Sequence, residues 1–139
     1  MTNLYDISYG QKYDANLSIK EIAQILRKEL KSLKGFKFSV RSNATRINVR
    51  LKNAPTDFQF FKTVETAWLT DYATTDAYQS LTKKVKDLGH AYNFDGSDVM
   101  TDYYHVNYFF NFDIAYGTEV YKLYSQQLTL QRRLIESQH

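Results

Sequence analysis

The sequence predicts an α+β domain: a two-layer arrangement with a small, mainly antiparallel three-stranded sheet covered on one face by helices, in the order α-β-β-α-α-β-α. Three observations carry this reading. Two short runs within residues 36–51 alternate apolar with polar or charged residues and are joined by turn chemistry. A longer run alternates through six apolar positions from Tyr104 to Ile114. Apolar stripes at helical period precede, separate and follow these runs. Each strand pattern has one apolar face, so the sheet is expected to be covered on one side and open on the other.

The elements follow in order. Residues 1–16 carry Tyr5, Tyr9, Tyr13 and Gly10 without regular period and read as an irregular arm with room for a short strand. Ser18 and Glu21 have capping-box spacing, and Ile19, Ile22, Ala23, Leu26, Leu30 and Leu33 make one helical stripe, which Gly35 is placed to stop. Phe36, Phe38 and Val40 alternate with Lys37, Ser39 and Arg41. Ile47, Val49 and Leu51 alternate with Arg46, Asn48 and Arg50. Ser42-Asn43-Ala44 between them suits a hairpin turn, and Pro55 ends the second strand. Thr56 with Gln59 can cap a second helix with inner residues Phe60, Phe61, Val64, Ala67 and Trp68. A third helix is expected over Thr75–Leu88 with Gly89 as terminator, then a loop over residues 90–102. In the long strand Tyr104, Val106, Tyr108, Phe110, Phe112 and Ile114 alternate with Tyr103, His105, Asn107, Phe109, Asn111 and Asp113. Gly117-Thr118 opens a last helix through 139. The 139 residues fit one domain, with 1–16 as an arm and 117–139 as a C-terminal helix.

Composition narrows the function classes. Hydrophobic residues at 43% and charged residues at 24% fit a folded protein rather than bulk disorder. The absence of cysteine removes disulfides, thiolate metal sites and cysteine nucleophiles. No apolar run approaches the roughly 20 residues that cross a bilayer, and MTNLYDISYG does not read as a signal peptide, so a cytoplasmic protein with no membrane partner is expected. The net charge of +3 is split: residues 1–52 carry 11 Lys and Arg against 4 Asp and Glu, and the remainder carries 7 against 11. Such asymmetry is what a nucleic-acid surface, an acidic-partner surface or an attraction between the two halves would give, and a sum of +3 is too small to signal a strong nucleic-acid binder. The chain is not acidic enough to mimic DNA.

The candidate binding residues are those that alternation points outward: Lys37, Arg41, Arg46, Asn48 and Arg50 on the hairpin, with Tyr103, His105 and Asn107 on the long strand if it pairs with the hairpin. Phe109 would join them. Cations interleaved with rings and amides can hold a phosphate backbone and stack unpaired bases. The same residues also suit a protein interface, where Arg and Tyr are preferred anchors, or an ordinary solvated sheet face. The residues alone leave these three open. Lys20, Arg27, Lys31 and Lys34 form a second basic stripe that reads as the solvated side of the first helix. Asp95, Asp98 and Asp102 with His90 and His105 match no metal-ligand spacing, and no cofactor is expected. No nucleophile elbow, phosphate loop or dinucleotide fingerprint occurs, so the reading is against an enzyme. A flat sheet edge or the last helix leaves a homodimer open.

Two stretches, residues 19–56 and 93–110, carry a resemblance. Lys37-Phe38-Ser39-Val40-Arg41, Ile47-Asn48-Val49, Pro55-Thr56, Phe94-Asp95-Gly96 and Met100-Thr101-Asp102 resemble the small domain family numbered twenty-nine among those of large polyvalent proteins of phages and conjugative elements. The helix at 118–137 lies beyond that likeness. The resemblance implies a chain that travels with mobile DNA. It points to a non-enzymatic counter-defence inhibitor, anti-CRISPR or anti-restriction, that binds a host defence protein or its nucleic acid. The alternative it leaves is a DNA- or RNA-binding accessory for transfer or replication.

Overall fold

The computed structural model describes residues 8–9, 12, 14, 16–95 and 108–137. The elements in chain order are β1 (Ser8–Tyr9), α1 (Ile19–Leu30), β2 (Lys37–Ser42), β3 (Arg46–Asn53), β4 (Phe61–Glu65), β5 (Thr70–Thr74), α2 (Asp76–Ala91), β6 (Phe94–Asp95), β7 (Phe109–Ile114) and α3 (Glu119–Glu136). The molecule is α+β, with three helices among the described residues and a main sheet in the order β2-β3-β7.

The capping box forms as its spacing requires. Glu21 N donates to Ser18 Oγ at 3.1 Å and Ser18 N donates to Glu21 Oε1 at 3.2 Å. Ile22, Ala23, Leu26 and Leu30 are the buried face of α1. Gly35, at φ +87°, turns the chain from α1 into β2, a conformation that L side chains rarely adopt. The hairpin β2–β3 is antiparallel, with Val40 opposite Val49, Arg41 opposite Asn48 and Ser39 opposite Arg50. Its turn is fixed by Asn43, whose Oδ1 accepts from Thr45 N at 2.9 Å.

Three expectations are corrected here. The helix predicted over Thr56–Trp68 is instead the antiparallel hairpin β4–β5, with Phe61 opposite Thr74 and Glu65 opposite Thr70. Its turn is built by Thr66: Thr66 N donates to Leu69 O at 2.9 Å and Leu69 N donates to Thr66 Oγ1 at 3.0 Å. The expected inner residue Trp68 sits at the tip, 93% exposed. The main sheet is mixed, because β7 runs parallel to β3. A parallel neighbour needs a crossover, and the chain supplies one through β4, β5 and α2. Finally, Gly89 does not end α2, which continues to Ala91, and the expected loop contains the strand β6, paired with β1. The long strand is described from Phe109 onward, with Tyr108 buried just before it.

One cluster of buried residues joins α1, β2, β3, β4, α2 and α3, with Ile22, Leu26, Ile47, Val49, Leu51, Phe60, Val85 and Tyr108 almost wholly enclosed. The abundance of aromatics has a packing use. Phe58, Phe60, Phe61, Tyr72, Tyr78 and Tyr124 form a chain of ring contacts, mostly edge-to-face, with centroids 4.9–6.4 Å apart. Gln127 docks α3 on this cluster: Phe60 N donates to its Oε1 at 2.7 Å, and its Nε2 donates to Phe58 O at 2.8 Å. Among the described residues no helix is long and apolar enough to cross a membrane.

Candidate functional site

The strand registers set out the open face of the main sheet in rows. Arg46 lies beside Phe109. Arg41, Asn48 and Asn111 make the next row, and Ser39, Arg50 and Asp113 the one after. The alternate residues Phe38, Val40, Ile47, Val49, Leu51, Phe110, Phe112 and Ile114 face the helices and are buried or half-buried. The sheet therefore has one packed and one open face, because each strand alternates in phase with its neighbours.

Among the described residues the open face is cationic with one aromatic platform. Phe109 is 45% exposed, and the Arg46 guanidinium lies 5.7 Å from its ring centroid. With its oxygen turned toward Arg46, Asn111 accepts from Arg46 Nη1 at 2.7 Å, an orientation the local donors favour. In the reverse orientation Asn111 Nδ2 donates to Asn48 Oδ1 at 3.2 Å. Arg50 Nε is 3.4 Å from Asp113 Oδ1, with both side chains more than half exposed. A pair so solvated is worth about 0–1 kcal/mol, so Asp113 tethers Arg50 loosely. Arg41 is exposed in the middle row.

The site residues expected from the sequence thus divide. Arg41, Arg46, Asn48 and Arg50 share the open face. Lys37 lies at its corner, beside an irregularity between Lys37 and Phe38 where β2 meets Asn53. Tyr103, His105 and Asn107 lie outside the described residues, as do Asp98 and Asp102. Asn111 and Asp113 were not among the expected binding residues. Their alternation with Phe110 and Phe112 was the signal that could have found them.

This face can hold anions, accept and donate amide hydrogen bonds, and stack one ring. Ser39 and Asp113 share a row, but Arg50 stands between them on the central strand, roughly 5 Å from each neighbour strand, so the carboxylate does not activate the hydroxyl.

Two polar clusters fix the sheet from behind. Asn93 Nδ2 donates to Tyr108 O at 2.8 Å and Asn93 Oδ1 accepts from Tyr108 N at 3.2 Å, as a neighbouring strand would. The Tyr108 hydroxyl donates to Gly89 O, and burial pushes that phenol well above its usual range. Tyr92 donates to Glu29 Oε1 at 2.8 Å, and Lys12 Nζ donates to the same oxygen at 3.2 Å. Burial first, then the bond to Glu29, raises the Tyr92 phenol; the Glu29 carboxylate likewise raises Lys12. Arg27 departs from the solvated-stripe reading, since its Nη2 and Nε donate to Val40 O at 2.7 and 3.2 Å.

A family model described as large polyvalent protein associated domain 29 matches residues 17–117. That span begins just before the cap of α1 and ends just before α3, so it takes in the main sheet with α1 and α2 and leaves out the last helix. No curated protein and no solved structure gives a match.

Proposed function

This chain belongs to the family of large polyvalent protein associated domain 29, and on that footing we propose that it is a non-enzymatic binding protein of a phage or other mobile element, acting on nucleic acid through the open sheet face. The observation that carries this reading is the register itself. It gathers Arg41, Arg46 and Arg50 around Asn48, Asn111 and an exposed Phe109, with Asp113 as the one acidic residue among the described residues of that face. Cations along a backbone track, amides for base edges and a ring for stacking suit a single strand better than a duplex groove. In a mobile element the reading becomes counter-defence, anti-CRISPR or anti-restriction: stoichiometric cover of the nucleic acid that a host CRISPR or restriction effector carries or attacks. The same affinity would serve transfer or replication.

A second reading rests on a different surface. Trp68, 93% exposed, and Leu69 beside it crown the β4–β5 hairpin, and Tyr116 is 85% exposed. Large exposed aromatics are the side chains that anchor protein interfaces. This favours direct contact with a host defence protein.

Binding of the purified chain to single- and double-stranded DNA and RNA at low and physiological salt tests the first reading. Salt-sensitive binding that is strongest for single strands and lost in Arg41→Glu/Arg50→Glu is expected. Absence of binding at low salt overturns it. Binding to a host protein that survives this double reversal but is lost in Trp68→Ala supports the second.

A further inference from the structure

We propose that the outer edge of β2 is a docking site for an extended, acidic segment of a partner protein, which joins the main sheet as a fourth strand. This site borders the open face at Lys37 and Arg41 but differs in its backbone contacts: a strand added at the edge lies in the plane of the sheet, whereas nucleic acid would lie across it.

The argument starts from the hydrogen-bond ladder. Asn43 N donates to Arg46 O at 3.0 Å, so these two residues form a bonded pair. In an antiparallel ladder bonded and non-bonded pairs alternate, which makes Arg41 with Asn48 and Ser39 with Arg50 the next bonded pairs. The backbone groups of Phe38, Val40 and Ser42 then point away from β3. Among the described residues no strand lies beyond β2. One of these outward groups is already held: the Val40 carbonyl accepts both Arg27 bonds. Arg27 thus stands where the N–H of an added strand would stand. An incoming peptide N–H can replace it and release the guanidinium to meet an acidic side chain.

The surroundings specify the occupant. A groove of about 440 Å³ runs between α1 and this edge, with Leu30, Phe36 and Phe38 as floor and Arg27, Lys31 and Lys37 as rim. Among the described residues no Asp or Glu lines it. A strand of period two would send alternate side chains onto the apolar floor and the rest toward the Lys37 and Arg41 side. Apolar residues alternating with acidic ones match both. A second copy of this chain does not match, since pairing β2 with itself brings Lys37 and Arg41 against like charges.

The probe is a short peptide alternating valine and glutamate, compared with one alternating valine and lysine, followed by amide shifts and hydrogen exchange of the full chain. Expected are shifts and slowed exchange at Phe38, Val40 and Ser42 with the acidic peptide alone. Arg27→Glu/Lys31→Glu should weaken binding about tenfold or more. Lys37→Glu, which leaves the Arg27 contact with Val40 in place, should weaken it as well and serves if the double variant unfolds. Equal binding of the basic peptide, silence at these amides with millimolar acidic peptide, or equal displacement of the same amides by a thymidine oligonucleotide would each overturn the proposal.

Discussion

The ring of Phe110 occupies the space that a side chain on Gly89 would take: a Cβ there would lie 2.4 Å from two of its carbons. This contact lets β7 approach α2 and explains why a glycine sits inside a helix. Alanine in a helix interior is ordinarily favoured over glycine by about 1 kcal/mol. Here overpacking of a stiff ring reverses the sign, with a typical cost of about 1–3 kcal/mol. Gly89→Ala should therefore lower Tm, and Gly89→Ala/Phe110→Leu should be less destabilised than the sum of its parts. A thermal melt in which Gly89→Ala alone gains stability would refute the close approach.

Gly89 also shows where the sequence was misleading. A glycine after an apolar stripe is a reasonable stop signal, and only the partner strand 21 positions later reveals its packing role. The segment after Pro55 failed for a related reason. Phe60, Phe61, Val64, Ala67 and Trp68 fit a helical face in spacing, yet Phe61–Glu65 and Thr70–Thr74 are rich in aromatic and β-branched residues. The Thr66 turn and the ring cluster around Phe60 decide the outcome, and both depend on tertiary neighbours. By contrast, the β2–β3 hairpin and the alternation of β7 were legible, because period two fixes a face without reference to partners. Hence Arg41, Arg46, Asn48 and Arg50 were found on one face. The parallel direction of β7 was not legible, since alternation carries no sign of strand direction.

Gln127 ties α3 to the segment before β4. Its amide satisfies Phe60 N and Phe58 O together, and a buried backbone group left unpaired costs about 1–3 kcal/mol. Gln127→Leu should destabilise by that order in urea unfolding. Gln127→Glu keeps the acceptor and loses the donor, so it should be destabilising as well. An unchanged urea midpoint for Gln127→Leu would mean that the Gln127 bonds do not hold α3 in place.

Alkaline stability should fall in a defined window. Burial raises the Tyr108 phenol, and burial also raises Tyr78 and Tyr92. An unfolded tyrosine ionises near pH 10, whereas a folded one held above that value stays neutral. The stabilisation is thus complete below about pH 10 and is lost as pH rises toward the folded values. For Tyr108 the slope approaches about 1.4 kcal/mol per pH unit in that window. Tyr108→Phe should be less stable at neutral pH, through the lost bond to Gly89 O, and should show a shallower alkaline decline. Equal declines for both proteins would exclude Tyr108 from the effect.

Asp113 is positioned to moderate the open face. Its carboxylate lies 3.4 Å from Arg50 Nε with both groups in solvent, an interaction of about 0.2–1 kcal/mol. A phosphate must displace it to take Arg50. Asp113→Asn removes the competitor and its repulsion of the ligand while keeping shape and one acceptor oxygen. Affinity for a single-stranded oligonucleotide should rise about 1.4- to fivefold, the factor that corresponds to the pair energy. If Arg50 then neutralises one further phosphate, the salt dependence of log K should steepen by up to about 0.7. The gain should shrink at higher ionic strength, where exposed charges are screened beyond about 10 Å at 0.1 M. Folding stability should change by no more than about 0.5 kcal/mol, as for other exposed positions. Salt titrations of the two proteins check this directly. Identical affinities and slopes would show that Arg50 does not contact the strand, and the anion track would then run through Arg41 and Arg46 alone.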